Sequence, residues 1–239
     1  MILKANFWRW YLSLHIIVAL IMFLFAINID QAAYAAAAPF FLENRSCIII
    51  DAGHGGIDGG AASCTGMPES RINLEIAIKL DTLLHLLGFS TKMIRTEDIS
   101  VHIYGSTISQ KKISDLKERL RIVNETEKGL LISIHQNYFF DSQYRGAQVF
   151  YATTPGSKEL AEIIQKSFCA SDCYNHRSHK QATGIFLMKH VKSTAILIEC
   201  GFLSNPQEEA LLRNADYQKK LCCIIAANIT LFLDHSATN

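Results

Sequence analysis

Proline is scarce, with 4 residues in 239, and no internal repeat or low-complexity tract follows the single alanine-rich stretch near the N-terminus. One folded domain, with no chain of Pro-rich linkers, is the reading these absences leave. An excess of basic charge is missing too: the formal net charge is +1 and 19% of residues are charged, so nothing points to nucleic acid as a partner. There is no CxxC pair and no Cys/His cluster at zinc-finger spacing, which argues against a thiolate metal site. Seven cysteines are present, an odd number, so at least one thiol stays free within the chain. Cys47, Cys200, Cys222 and Cys223 lie in apolar stretches and read as core fillers, while Cys169 and Cys173 in "SFCASDC" are the pair close enough for a local bridge.

What the sequence does have begins with an apolar N-terminus. Lys4 and Arg9 precede a hydrophobic run from about Tyr11 to Ile29, the order of a signal sequence. The run is just long enough to span a bilayer, and Trp8, Trp10 and Tyr11 suit its interface. An Ala33-x-Ala35 pattern offers a cleavage site after Ala35, so cleaved leader and retained anchor are both open. In either case the preceding positive charge places the remainder outside the cytoplasmic membrane, secreted or membrane-anchored. The expected division is therefore 1–45 as leader or anchor plus Ala-rich linker, and 46–239 as the folded domain.

From Cys47 onward short apolar runs alternate with longer amphipathic ones, which predicts an α/β domain. "CIIID" reads as a buried strand, and "RINLEIAIKLDTLLHLLG" as a helix with Ile72, Ile76, Leu80, Leu83 and Leu87 on its apolar face and Gly88 ending it. "FSTKMIR" is a second strand, "SDLKERLRIVNE" a helix capped by Ser114, and "GLLISIH" a third strand. "GAQVFYA" is a strand, "SKELAEIIQKSF" a helix, and "GIFLM" and "TAILIEC" are strands. Asn205 followed by Pro206 and Glu208 opens a short helix, and "YQKKLCCIIAANITLFL" closes the domain. The expected fold is a single three-layer α/β domain with a mostly parallel twisted sheet and helices on both faces. The long loop, Thr96 to Ile113, is expected to lie over the site.

Ligands of open α/β sheets gather at the carboxyl ends of the strands. His54 follows the first strand, His135 ends the third, and Glu199 ends "AILIE". Two histidines on one rim with carboxylates nearby are the makings of a hydrolytic zinc site. An acid near the entry of the first helix completes it: Glu69 lies there, and Glu75, two turns further on, is its rival. The glycines around His54 in "DAGHGGIDGGA" allow tight turns and close substrate approach. A phosphate loop is the competing explanation, but no Lys-Ser/Thr follows and the spacing does not match GxGxxG. His15, His85, His102, His176, His179, His190 and His235 read as ordinary surface or core residues. A carboxylate directly after "AILI" would be costly to bury unpaired, and a metal-bound water would give Glu199 a reason to be there. Asp51 reads as support for a ligand.

The stretches "IIIDAGHGGIDGGA", "PESRINLEIA", "ISIHQN", "GAQVFY" and "AILIECGFLSNPQEEALL" resemble the zinc-dependent N-acetylmuramoyl-L-alanine amidases of the amidase-3 type, over essentially all of Cys47 to Leu233. The resemblance implies one zinc ion per chain held by His54, Glu69 and His135, with Glu199 as the catalytic residue. It implies a peptidoglycan substrate cut between the muramic acid lactyl group and L-alanine. Two departures stand out: Ala52 replaces the proline usual before Gly-His-Gly, and Glu69 is followed by Ser-Arg where the family often has Lys-Asp. Layout and "YRGAQVFY" are most similar to the germination-specific members from endospore formers. These imply a role in spore cortex maturation, with muramic δ-lactam closed by separate activities, and a place in the forespore intermembrane space. Between Tyr151 and Ile185 there is room for one ordinary helix and a polar loop, so a self-blocking helix is not expected. No cell-wall binding module is evident, so location would come from the N-terminal segment or from an accessory protein. Two alternatives stay open: a non-catalytic peptidoglycan-binding relative, and a zinc peptidase acting within the stem peptide.

Overall fold

A computed structural model describes residues 46–237, and the leader or anchor expected over residues 1–45 lies outside them. Strand β1, Cys47–Ala52, is buried on both faces, as its unbroken apolar run requires of a central parallel strand. Helix α1, Glu69–Leu86, returns the chain to β2, Thr91–Met93. Helix α2, Ile108–Glu125, leads to β3, Gly129–Asn137. After β4, Gln148–Tyr151, come α3, Ser157–Ser171; β5, Lys180–Gln181; and α4, Phe186–His190. Strand β6, Thr194–Phe202, then precedes α5, Pro206–Leu212, and α6, Ala215–Ala237. Among these residues no helix is long and apolar enough to cross a membrane.

The six strands lie in the order β2-β1-β3-β6-β4-β5, and every neighbouring pair is parallel except β4 with β6. Alternation sorts the strand residues into two layers. Ile48, Ile50, Ile132, Ile196 and Ile198 pack against α1, α3 and α6, whereas Ile49, Leu131, Ala195 and Leu197 pack against α2 and α4. The chain leaves β1 outward to β2 and returns to β3 on the other side, so the crevice at the β1/β3 carboxyl ends is a topological switch point.

Several expectations are corrected. Helix α2 starts at Ile108 because Thr107 and Gln110 form a capping box, with Gln110 N donating to Thr107 Oγ1 at 3.2 Å and Thr107 N to Gln110 Oε1 at 3.3 Å. Ser114 is therefore inside the helix, buried, and accepts from the backbone N–H groups of Ile103 and Tyr104. "GIFLM" is not a strand: Phe186–His190 is a helical turn that buries Leu187 and Met188 under the sheet, and a five-residue apolar run is too short for its period to decide. The edge strand β5 has no counterpart in the sequence pattern, since two exposed polar residues carry no strand signal. On α1 the buried row runs Ile72, Ile76, Leu80, Leu84, while Leu87 is 47% exposed. Gly88 does end that helix, at φ +80°, with Phe89 N donating to Leu84 O. Asn205 caps α5 as expected, through Gln207 N and Glu208 N, but the Glu208 carboxylate turns to Gly146 N and Phe202 N instead of closing a box. The cysteines are all unpaired, Cys169 and Cys173 included, and Cys223 is exposed where a core position was expected.

Candidate metal centre

The glycine-rich turn after β1 lifts His54 into the crevice at φ +61°, a conformation that side-chain-bearing residues seldom adopt. Two buried arginines hold it there. Arg119 of α2 donates to His54 O at 2.6 Å and Ala52 O at 3.0 Å, and it is ion-paired with Asp51 and Asp115. Arg95, just past β2, donates to Ala52 O, Gly53 O and Ser70 O. The Thr96–Thr107 loop packs on the same turn, with Asp98 accepting from Gly56 N at 3.0 Å. Gly53 has to be glycine because a Cβ there would enter the His135 ring, and at Gly60 it would stand 2.5 Å from Glu69 Oε2.

Against this turn stand the first residue of α1 and the end of β3. Glu69 Oε2 lies 3.3 Å from His54 Nε2, and Glu69 Oε1 lies 3.0 Å from His135 Nδ1. One ligand atom from each of His54, Glu69 and His135 falls within 4.8 Å of the others, and this is the group among the described residues with the composition of a metal site. Backbone and amide donors fix the carboxylate: Ala61 N on Oε2, and Gln136 N and Asn73 Nδ2 on Oε1. The rival Glu75 points elsewhere, to Arg71 and to Gln218 of α6.

The electrostatics follow from that crowding. Burial works against the charge of His54, but Glu69 and then Asp58 outweigh it and raise its pKa to about 9. Burial would likewise raise Glu69, yet hydrogen bonds from His135 and His54 and their charges hold it far below the usual carboxylate range. A charged His54 thus stands against the Glu69 carboxylate, the arrangement in which a divalent cation would take the place of the proton. The donor set, two imidazoles and one carboxylate, suits zinc.

Glu199 lies beside His135 across the β3/β6 register. Burial raises its pKa to about 7, the charge of Glu69 adds to the rise, and His135 and His54 oppose it. Its Oε2 is buried without a hydrogen-bond partner. It faces a cleft of about 360 Å³ whose walls include His54, His135, Leu116, Ile185 and Phe186.

Two contributors are not evident from the sequence. Asp58 binds His54 Nδ1 at 3.0 Å and Lys112 at 2.8 Å, so the turn that supplies the ring also supplies its orienting carboxylate. Arg119 carries no sequence signal beyond that of a charged residue on an amphipathic helix. Asp51 touches no ligand atom; it is bonded by Arg119 and Ser133 and so supports His54 through Arg119.

Fold and site together define an α/β domain with a His–Glu–His cluster on the rim of its sheet. The N-acetylmuramoyl-L-alanine amidase family matches residues 48–230, and the chain belongs to that family. It is 36% identical to the germination-specific N-acetylmuramoyl-L-alanine amidase of Bacillus subtilis over 184 residues, 76% of this chain and 77% of that protein. It is 31% identical to the amidase LytC of the same organism over 72% of this chain and 32% of LytC. Among solved structures, the CwlD amidase of Clostridioides difficile, determined in complex with the GerS lipoprotein, superposes with a TM-score of 0.75 at 38% identity, covering 80% of this chain and 99% of that one. The catalytic domain of CwlV from Bacillus (Paenibacillus) polymyxa superposes at 0.69 with 27% identity, covering 80% and 99%. The activity is therefore amide hydrolysis in peptidoglycan, between N-acetylmuramic acid and L-alanine.

Proposed function

We propose that the chain is a zinc-dependent amidase in which His54, Glu69 and His135 hold one zinc ion and Glu199 moves the proton. Zinc held there supplies Lewis acidity to the scissile carbonyl and to water. The observation that carries the assignment is the buried, unpartnered Glu199 Oε2 beside the His–Glu–His set. A carboxyl group with a pKa of about 7 is suited to both halves of a proton transfer near neutrality. Glu199 accepts a proton from the water that adds to the carbonyl carbon, and returns it to the nitrogen as the C–N bond breaks. The products are the free lactyl carboxyl group and a stem peptide with an L-alanine amino group.

The same reading gives residues 1–45 the role of leader or anchor and 46–239 that of catalytic domain, working outside the cytoplasmic membrane. Likeness to the germination-specific enzyme supports spore cortex as the substrate, in the forespore intermembrane space, with the exposed lactyl group closed into δ-lactam by separate deacetylase and cyclase activities. Likeness to CwlD supports a lipoprotein as accessory partner. The decisive experiment digests purified peptidoglycan with zinc-loaded protein and identifies the released fragments by mass spectrometry. Stem peptides beginning with L-alanine are expected. Fragments cut within the stem would indicate a peptidase, and binding without release a non-catalytic relative.

A further inference from the structure

A second cavity, of about 440 Å³, is lined by Gln143, Tyr144, Arg145, Tyr174, His176 and Arg177. Gln148 ties one of these residues to Glu199. It is the direct cross-strand partner of Glu199, and its Oε1 accepts from Arg177 Nη1 at 3.0 Å. Arg177 is held in place from several sides: its Nε donates to Arg145 O at 2.8 Å, its guanidinium stacks on the Phe202 ring at 4.4 Å, and its backbone N–H donates to the buried Asn175. Arg145 lies 4.6 Å above the Tyr174 ring.

Among the described residues neither guanidinium forms a salt bridge, and Arg145 Nε is buried with no hydrogen-bond partner. The charge of Glu208 reaches both, but its two oxygens accept from Gly146 N and Phe202 N. Both side chains are half-buried, which removes part of their water, and their planar donors match a carboxylate in two-point geometry. The remaining question is what anion the substrate brings.

Cross-strand neighbours have Cβ atoms about 5 Å apart, and an extended peptide advances about 3.5 Å per residue. For a peptide whose scissile amide lies at Glu199, the residue after L-alanine is therefore within reach of the Arg177 side of Gln148. In peptidoglycan that residue is a γ-linked D-glutamate, whose α-carboxyl group is either free or amidated. We propose that Arg145 and Arg177 form a stem-peptide subsite that recognises this free α-carboxylate and so selects non-amidated stems. The proposal rests on Glu199 marking the point of cleavage.

The test uses two substrates that differ in one group, N-acetylmuramoyl-L-alanyl-D-isoglutamate and its D-isoglutamine counterpart, with zinc-loaded enzyme. The acid form should be hydrolysed with a kcat/KM about 10- to 100-fold higher, the worth of one or two charge-assisted hydrogen bonds. Arg177→Gln should remove that preference by slowing the acid form far more than the amide form, Arg145→Gln should reduce it, and Arg177→Lys should restore part of it. A structural defect lowers both substrates by the same factor, so equal losses, or a parent enzyme that does not discriminate, would overturn the subsite. Calorimetry with the two released dipeptides reads the same preference without turnover. If neither substrate is cleaved but the acid dipeptide binds about 10-fold or more tighter and Arg177→Gln abolishes the difference, the subsite stands and the reading of Glu199 fails. Equal binding of the two dipeptides overturns the subsite whatever the rates.

Discussion

Replacing Arg119 by methionine removes a guanidinium whose side chain is 3% exposed and whose partners are two acids and two backbone carbonyls. The two acids do not suffer alike. Asp115 keeps Ser100 Oγ at 2.8 Å and Val101 N at 2.7 Å, whereas Asp51, 2% exposed, keeps only Ser133 Oγ at 2.7 Å. Arg119→Met therefore strands one buried carboxylate, which costs about 3–5 kcal/mol. Against a total of about 5–15 kcal/mol that is a large share, equivalent to a fall of roughly 6–20 °C in Tm for a domain this size. The pH dependence gives the sharper signature. In the parent, burial pushes Asp51 up, but the charges of Arg119 and His135 and the Ser133 hydroxyl together hold it below its ordinary value. Its contribution is complete above the unfolded pKa of about 3.9 and is lost as pH falls through the lower folded value. Without Arg119 burial prevails and the folded pKa rises, so stability falls as pH climbs above about 3.9. Urea unfolding of metal-free parent and variant between about pH 3 and 7 should show opposite slopes in the acidic limb. Adding Asp51→Asn should recover much of the loss, since the stranded charge is gone. A variant within about 1 kcal/mol of the parent at pH 7, with a parallel pH profile, would refute the reasoning.

His54→Ala and His135→Ala should abolish tight zinc binding in metal analysis, while His85→Ala and His190→Ala, at exposed helical positions, should leave one zinc per chain. Glu199→Gln should retain zinc and lose about 10²–10⁴-fold in amide hydrolysis, whereas Glu69→Gln should loosen the metal; zinc loss in the first with full activity in the second would mean the roles are exchanged. Because the Glu199 pKa is raised to about 7, ionising it opposes folding: the cost is absent below about pH 4.5, grows up to about pH 7 and is complete above that. Metal-free Glu199→Gln should accordingly be more stable than the parent at pH 8, by about 1–3 kcal/mol, with the difference vanishing near pH 4; an equal gap at both pH values would count against a buried carboxylate.

The elements with strong periodicity are legible in the residue pattern itself. An unbroken "CIIID", the four-residue beat of α1 with its closing glycine, and Asn205-Pro206 each encode a local preference that the packing reinforces. His54, His135 and Glu199 are legible for the same reason, since each sits just past or in the last residues of a buried strand and a parallel sheet brings those ends to one rim. Glu69 is harder to choose over Glu75 from spacing alone. The Ala61–Glu69 and Gly59–Ser70 backbone bonds decide it in space, by folding the glycine turn back onto the start of α1.

The remainder belongs to contacts between residues far apart in the chain. A five-residue apolar run such as "GIFLM" has no period of its own, so the sheet face that Leu187 and Met188 cover determines that it is helical. Ser114 reads as a cap because hydroxyls cap helices, and only the packing of the Ile103–Tyr104 backbone on it shows a different use. Sequence alone determined the chemistry available at the rim: two imidazoles, two carboxylates and a glycine turn able to carry one of them. Tertiary structure alone decided how that chemistry is held, through Arg119 and Arg95 gripping the turn, and gathered Arg145 and Arg177 around one cavity. An arginine in a sequence gives no sign of its partner, because a charge becomes costly or useful only when folding has removed the water around it.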